Sequence, residues 1–137
     1  MKIVYSYYVL DIVHTGHILQ MRNSKAIAGP DGKLIVGILT DEAAMEKKPK
    51  PILSFNERIG LASAIKYADL VVAQGTYSPL DNIMNLKPDV LMECADHDFI
   101  KEVEEFMASI GGRIIATPYY PPQSSTKIKQ DVINNGT

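Results

Sequence analysis

Ile3-Val4-Tyr5-Ser6-Tyr7-Tyr8-Val9, followed closely by Asp11-Ile12-Val13-His14-Thr15-Gly16-His17, is the stretch whose reading decides the fold. Residues 3–9 are almost all β-branched or aromatic, the composition of a strand. After a short turn carrying Asp11, helical periodicity begins, with Ile18, Leu19 and Arg22 following His17 along or beside one face. The two histidines therefore stand at the start of a helix behind a strand, with a glycine between them. Glycine has no Cβ, so a ligand can approach the backbone there closely. The free N–H groups of a helix start are a seat for phosphate. Two imidazoles, a bare backbone and a helix N-terminus on one spot suit a phosphate undergoing reaction.

Other readings of the pair stay open. One is a cap and a packed imidazole; another is a metal site, since histidines three apart can share an ion, with Asp11 the nearby third ligand. The placement after the first strand of an alternating chain favours phosphate.

That alternation continues outward. A helix over residues 15–28 stops at Gly29-Pro30-Asp31-Gly32, strong turn punctuation. Residues 33–40 (KLIVGILT) form a continuous apolar run, as in a parallel strand covered on both faces. Residues 41–51 read as a loop or broken helix, with Lys47, Lys48 and Lys50 beside Pro49 and Pro51. Ser54 and Glu57 make a capping box for a helix reaching about residue 67. Strands follow at 69–73, 89–93 and 113–117. Between them lie a short helix before Pro88 and a helix over 99–110 stopped by Gly111-Gly112. Residues 118–122 are an extended, proline-bounded loop, and Ser124-Ser125-Thr126 offer caps for a last helix over 127–134. The pattern predicts an α/β, Rossmann-like fold: a parallel five-stranded sheet with helices on both faces. Ligands then sit outside the carboxyl ends of the strands.

The chain has 137 residues, which predicts one domain over 1–137 with a core that needs no staples. A formal net charge of −2 argues against a broad nucleic-acid surface and leaves room for a local basic pocket. The single cysteine, Cys94, excludes an intrachain disulfide and points to a reducing cytoplasmic setting. No window is long and apolar enough to cross a bilayer.

Beyond the histidines, hydroxyls at 124–126 with Lys127 in the first turn can hold phosphate oxygens, or simply cap. The lysine loop is a solvated surface, or it closes over a triphosphate; Arg58 and Lys66 extend the positive field. Asp11 orders the histidine loop or helps hold magnesium, and Asp41 caps the next helix. Among Glu93, Asp96, His97 and Asp98 the residues alone do not choose.

The stretches D-I-V-H-T-G-H (11–17), L-T-D-E (39–42), S-F-N-E-R (54–58), L-K-P-D-V (86–90) and S-S-T-K-I-K (124–129) together resemble the cytidylyltransferases. The resemblance runs through essentially the whole chain. It is closest to the glycerol-3-phosphate type and to the cytidylyltransferase-like domains that act on phosphonates. It implies a homodimer that transfers CMP from CTP with Mg2+ to a small phosphate or phosphonate acceptor, releasing pyrophosphate. His14, His17 and Lys47 would be catalytic. Val9, Leu10, Asp11, Gly16, Arg58, Asp96, Ser124, Ser125 and Thr126 would meet the nucleotide and its phosphates, and Tyr8, Lys66 and Tyr119 the acceptor. No residue is assigned as a metal ligand.

The chain also departs from the family. Tyr8-Val9-Leu10 replaces a small G-T-F, Cys94-Ala95-Asp96-His97 replaces G-D-D-W, and Tyr119 stands near a lost arginine. Loss of that bidentate clamp favours a phosphonate acceptor. Two further functions fit the same fold: adenylyl transfer from ATP, as in related HxGH proteins, and a non-catalytic nucleotide-binding module.

Overall fold

The computed structural model describes residues 1–94, 100–117 and 125–135. Strands β1 (Ile3–Tyr8), β2 (Lys33–Leu39), β3 (Leu70–Gln74), β4 (Val90–Cys94) and β5 (Arg113–Thr117) alternate with helices α1 (Thr15–Ala28), α2 (Asp41–Met45), α3 (Phe55–Ser63), α4 (Leu80–Leu86), α5 (Lys101–Ser109) and α6 (Ser125–Asn135). The strands form one sheet in the order β3-β2-β1-β4-β5, every pairing parallel. From β1 the chain moves outward through β2 to β3, then crosses to β4 and β5 on the other side. The direction of winding therefore changes between β1 and β4, the place where open α/β sheets bind ligands.

Side-chain alternation divides β1 between two apolar layers. Val4 and Tyr8 join Met21 of α1, Ala62 of α3 and the inner residues of β2 on one face. Tyr5 joins Ile83 of α4 and Val103 and Met107 of α5 on the other. The continuous apolar run of β2 is buried from Leu34 to Leu39, as a central strand requires.

β1 and β2 stay in register through Tyr8↔Ile38. β1 and β4 pair only at Val4↔Val90 and Tyr5↔Leu91. That short pairing lies at the change of winding.

A polar cross-brace supports the β1–β2–β3 side. The Tyr5 hydroxyl donates to Gln74 Oε1 at 2.6 Å and accepts from Asn82 Nδ2 at 2.9 Å. Burial pushes this hydroxyl well above its ordinary pKa, so it remains a neutral donor. Tyr5 fits because position 37 of β2 is glycine: a Cβ there would stand 1.9 Å from the hydroxyl oxygen.

Several boundaries differ from the sequence reading. α3 ends at Ser63, several residues before Tyr67, because the chain turns there to reach the amino end of β3. The charged segment after β2 folds as the short α2, with Thr40 and not Asp41 as its cap: the Thr40 side chain accepts from Ala43 N–H. Lys66 lies in the turn after α3. Its ammonium sits 5.2 Å from the centre of the Tyr67 ring, and Tyr67 shares a cleft with Arg22, Lys25 and Pro30 at the far end of α1. A crossover helix runs antiparallel to its strands, so its end is delivered to the opposite edge of the sheet. The acceptor role expected for Lys66 is corrected on that ground. Among the described residues, no helix is long and apolar enough to cross a membrane.

Candidate active site

The site grows from the turn between β1 and α1. Leu10 closes β1 with φ +60°, a left-handed conformation that a bulky L-residue adopts only where its surroundings impose it. The imposition is visible: Leu10 is buried, and its two neighbours are tied down. The Val9 carbonyl accepts from Arg58 Nη1 at 2.8 Å, and the Asp11 carboxylate receives the Ile52 and Leu53 amides at 3.0 and 2.8 Å.

Directly beyond, the two histidines cap α1 reciprocally. His14 is the N-cap residue, its Nδ1 accepting from Gly16 N–H at 3.0 Å, while His17 Nδ1 accepts from His14 N–H at 3.3 Å. The rings lie 4.0 Å apart, centre to centre. An imidazole nitrogen that accepts an N–H bond carries no proton, so in both neutral rings the proton is on Nε2. Burial lowers the His14 pKa. It lowers that of His17 to about 3, with His14 and the Lys48 charge adding to the effect. At neutral pH the pair is therefore two uncharged Nε2–H donors held in one orientation by the helix start.

Tyr8 is buried in the α1-side layer, with its ring edge-on to His17 at 5.8 Å. It braces the His17 imidazole from behind. The acceptor contact expected of it does not match that burial.

Arg58 is also placed differently from the expectation. It is fully buried, and all three guanidinium nitrogens are engaged within the chain. Nε donates to the Leu53 carbonyl at 3.2 Å, Nη1 to the carbonyls of Val9 and Leu39, and Nη2 to Asp41 Oδ1 at 2.7 Å. It ties together the ends of β1 and β2 and the loop before α3. The positive wall expected of it against phosphate is corrected to a crosslink behind the site.

Asp11 is its acidic counterpart. Burial pushes its carboxyl upward, but the Leu53 amide, the Lys129 ammonium and the Ile52 amide outweigh that and hold it below the ordinary carboxylate range. Lys129 comes from α6, so one buried carboxylate fastens both the lysine loop and the last helix to the histidine turn. Among the described residues, no group of three or more His, Cys, Asp and Glu converges as a metal seat, and Asp11 is already surrounded by donors.

The lysines separate in space. Lys47 stacks its ammonium over Tyr77, 5.4 Å from the ring centre, whereas Lys48 is the one whose charge reaches His17. The sequence reading chose Lys47; three lysines within four positions gave no means of ranking them. Lys129 was likewise missed, since nothing local links it to Asp11, 118 residues away. Gly16 contributes its amide to His14, and Thr126 is exposed on α6. Ser125 opens α6. Asp96, Tyr119 and Ser124 lie outside the described residues.

Known proteins agree with this architecture. The family described as cytidylyltransferase-like matches residues 9–131. An FAD synthase from Korarchaeum cryptofilum is 33% identical over 128 residues, covering 90% of this chain and 86% of that protein. The bifunctional protein HldE of Paramagnetospirillum magneticum is 34% identical over 119 residues; the match covers 85% of this chain but only 24% of that relative. Among solved structures, a lipopolysaccharide core biosynthesis protein from Thermoplasma volcanium superposes with a TM-score of 0.74 at 26% identity, over 88% of this chain and 99% of that one. With the parallel sheet and the paired histidines at the first strand–helix turn, these matches make the chain a member of the cytidylyltransferase-like family of nucleotidyltransferase folds.

Proposed function

We propose that the protein is a nucleotidyltransferase that moves AMP from ATP onto the phosphate oxygen of a small phosphomonoester, releasing pyrophosphate. The observation that carries the choice of ATP is the nearly full-length match to relatives named FAD synthase, from Korarchaeum cryptofilum and Methanopyrus kandleri. FAD contains an AMP unit joined through phosphate to a flavin phosphate, so its synthesis is an adenylyl transfer to a phosphomonoester. The partial match to HldE fits a nucleotidyl-transfer module within a longer protein.

In this reaction an acceptor phosphate oxygen attacks the α-phosphorus, a new P–O bond forms, and the bond to the β-phosphate oxygen breaks. No side chain needs to become covalently attached. Catalysis then rests on alignment and on donors aimed at developing charge. The His14 and His17 Nε2–H groups are such donors, uncharged at neutral pH. Lys48 adds positive charge beside His17. Mg2+ would accompany the nucleotide on its phosphate oxygens, the usual habit of an ion that keeps most of its water.

The family description favours a second reading, cytidylyl transfer from CTP to a phosphate or phosphonate. A pyrophosphate-release assay with ATP or CTP separates them, run with Mg2+ against flavin mononucleotide, a sugar 1-phosphate, glycerol 3-phosphate and simple phosphonates. Turnover with ATP on a phosphomonoester is the expected result. Turnover with CTP alone would replace the proposal by the second reading, and nucleotide binding without turnover would make this a binding module. Homodimer formation is read separately by light scattering, where a monomer mass at micromolar concentration would count against it.

A further inference from the structure

The helix that begins at the histidines ends at a second concave surface. α1 has 14 residues and so spans about 21 Å, which sets this surface at the opposite edge of the sheet from the histidine turn. Arg22, Lys25 and Ala26 share one helical face there, spaced three and four apart, and Gly29 and Pro30 continue it. Tyr67 stands across from them. The cleft between has a volume of about 390 Å³, an almost wholly apolar lining and a broad opening to solvent.

Its rim is cationic. Lys25 is already committed, its ammonium bonding Asp69 Oδ2 at 2.6 Å and the Gly32 carbonyl at 3.1 Å. Arg22 is exposed and, among the described residues, makes no hydrogen bond or ion pair. Lys66 is exposed too; its ammonium lies 5.2 Å from the centre of the Tyr67 ring and, among the described residues, meets no carboxylate. No acidic residue lines the cleft. Two uncompensated cations beside an apolar floor, in a chain of net charge −2, select an occupant that is anionic and carries an apolar group.

Three kinds of occupant have that chemistry. A small molecule is held by enclosure, which an open cleft does not give. A nucleic acid binds through a run of phosphate contacts, and two cations supply few. A peptide laid across the cleft needs only one anchor side chain inside it and carboxylates within reach of the rim. We infer that this cleft docks an acidic segment of another protein, with an aromatic side chain seated against Ala26, Gly29 and Tyr67 and flanking carboxylates at Arg22 and Lys66. Neither the choice of nucleotide nor the transfer reaction enters this assignment.

The test is a titration of the isotope-labelled full chain, followed by its amide NMR shifts. The probes are a blocked pentapeptide with phenylalanine between two pairs of glutamates, its counterpart with alanine at the centre, and its counterpart with lysines in place of the glutamates. The first is expected to saturate with a Kd below about 1 mM, shifting the amides of Ala26, Gly29 and Tyr67 and not those of Gly16 and His17. The alanine peptide should bind about fivefold or more weakly, and the lysine peptide should not saturate. Arg22→Ala and Lys66→Ala, both surface changes, should each weaken binding about threefold, and the double variant about tenfold, with the folded amide spectrum kept. Added salt should weaken binding to the parent more than to the double variant. Failure to saturate, shifts confined to the lysine loop, equal binding of the three peptides, or a double variant that binds like the parent would overturn the proposal. So would tighter binding of a single-stranded oligonucleotide or of phenyl phosphate at the same amides. Concentration-dependent shifts of those amides without any peptide would also overturn it, by making the occupant a second copy of the chain.

Discussion

The histidine bracket and the Arg58–Asp11 hub occupy the same end of the same sheet, and Asp11 is only three positions from His14 in the chain. Each histidine engages one ring nitrogen with its own helix start and keeps Nε2–H as a donor. Arg58 engages every nitrogen with carbonyls and Asp41, and the Asp11 carboxylate receives two amides and an ammonium. Arg58 and Asp11 thus tie this end of the sheet together, and under the proposed function the neutral histidines are the groups that face the reaction. What decides a residue's role here is how many of its polar atoms the fold has already engaged.

That contrast breaks most visibly at Arg58. Arg58→Ala should lower unfolding stability by about 3–5 kcal/mol, because it leaves Asp41 and three carbonyls without their buried donor. Chemical denaturation measures this, and Arg58→Lys should restore little, since a point ammonium cannot reproduce the fork. A melt unchanged in both variants would return Arg58 to the substrate.

His17→Ala should act the other way round. Pyrophosphate release should fall by about 10²–10³, the scale of one lost charge-stabilising donor, while the melting temperature moves only by what a helix cap supplies. Turnover within a few-fold of the parent would remove the histidines from the proposed role.

Asp11→Asn sharpens the comparison in the middle of the range. It exchanges a charged acceptor for a neutral one beside Lys129 and should lower stability by about 1–3 kcal/mol. Its pH dependence has a definite sign. The native carboxyl is held below its unfolded pKa, so its contribution is complete above the unfolded value of about 3.9 and is lost as pH falls through the native one. The asparagine variant should lack that acid limb.

His17 gives a second limb at higher pH. Its native pKa, about 3, lies below the ordinary 6.5 of an unfolded histidine, so the unfolded chain binds the extra proton between the two. Stability is complete above the upper value and declines as pH falls toward the lower, with a slope of at most about 1.4 kcal/mol per unit. Denaturation at pH 7, 5.5 and 4.5 should show this for the parent and a flatter profile for His17→Gln.

The smallest effect separates the two lysines. Lys48→Ala should raise the KM for nucleotide several-fold and weaken its salt dependence, whereas Lys47→Ala should change it less. The reverse order would restore the sequence choice.

What was legible in the sequence follows the same division. The histidine bracket is local: residues three apart, a glycine between them, a strand before and a helix after. So is the Ser54–Glu57 box, whose Ser54 Oγ accepts from Glu57 N–H at 3.1 Å. The apolar runs fixed the strands and hence the sheet. Arg58 was misread because its sequence shows a charge and not its partners, which are carbonyls 19 and 49 residues away. Lys66 was misread because counting along a helix does not say at which edge of the sheet it ends.

The cross-brace at Tyr5 carries a consequence for how this sequence can drift. The hydroxyl of Tyr5 stands where a side chain on residue 37 would begin. It is also a partner of Gln74 and Asn82, on β3 and α4. Gly37→Ala alone forces a clash, and Tyr5→Phe alone removes the donor to Gln74 Oε1, while Asn82 Nδ2 keeps the Ala73 carbonyl. The double change removes the collision but leaves Gln74 Oε1 without the donor that Tyr5 supplies. The four positions therefore form one epistatic unit: a lineage can cross from this arrangement to an apolar one only by passing through less stable intermediates, or by changing several codons together.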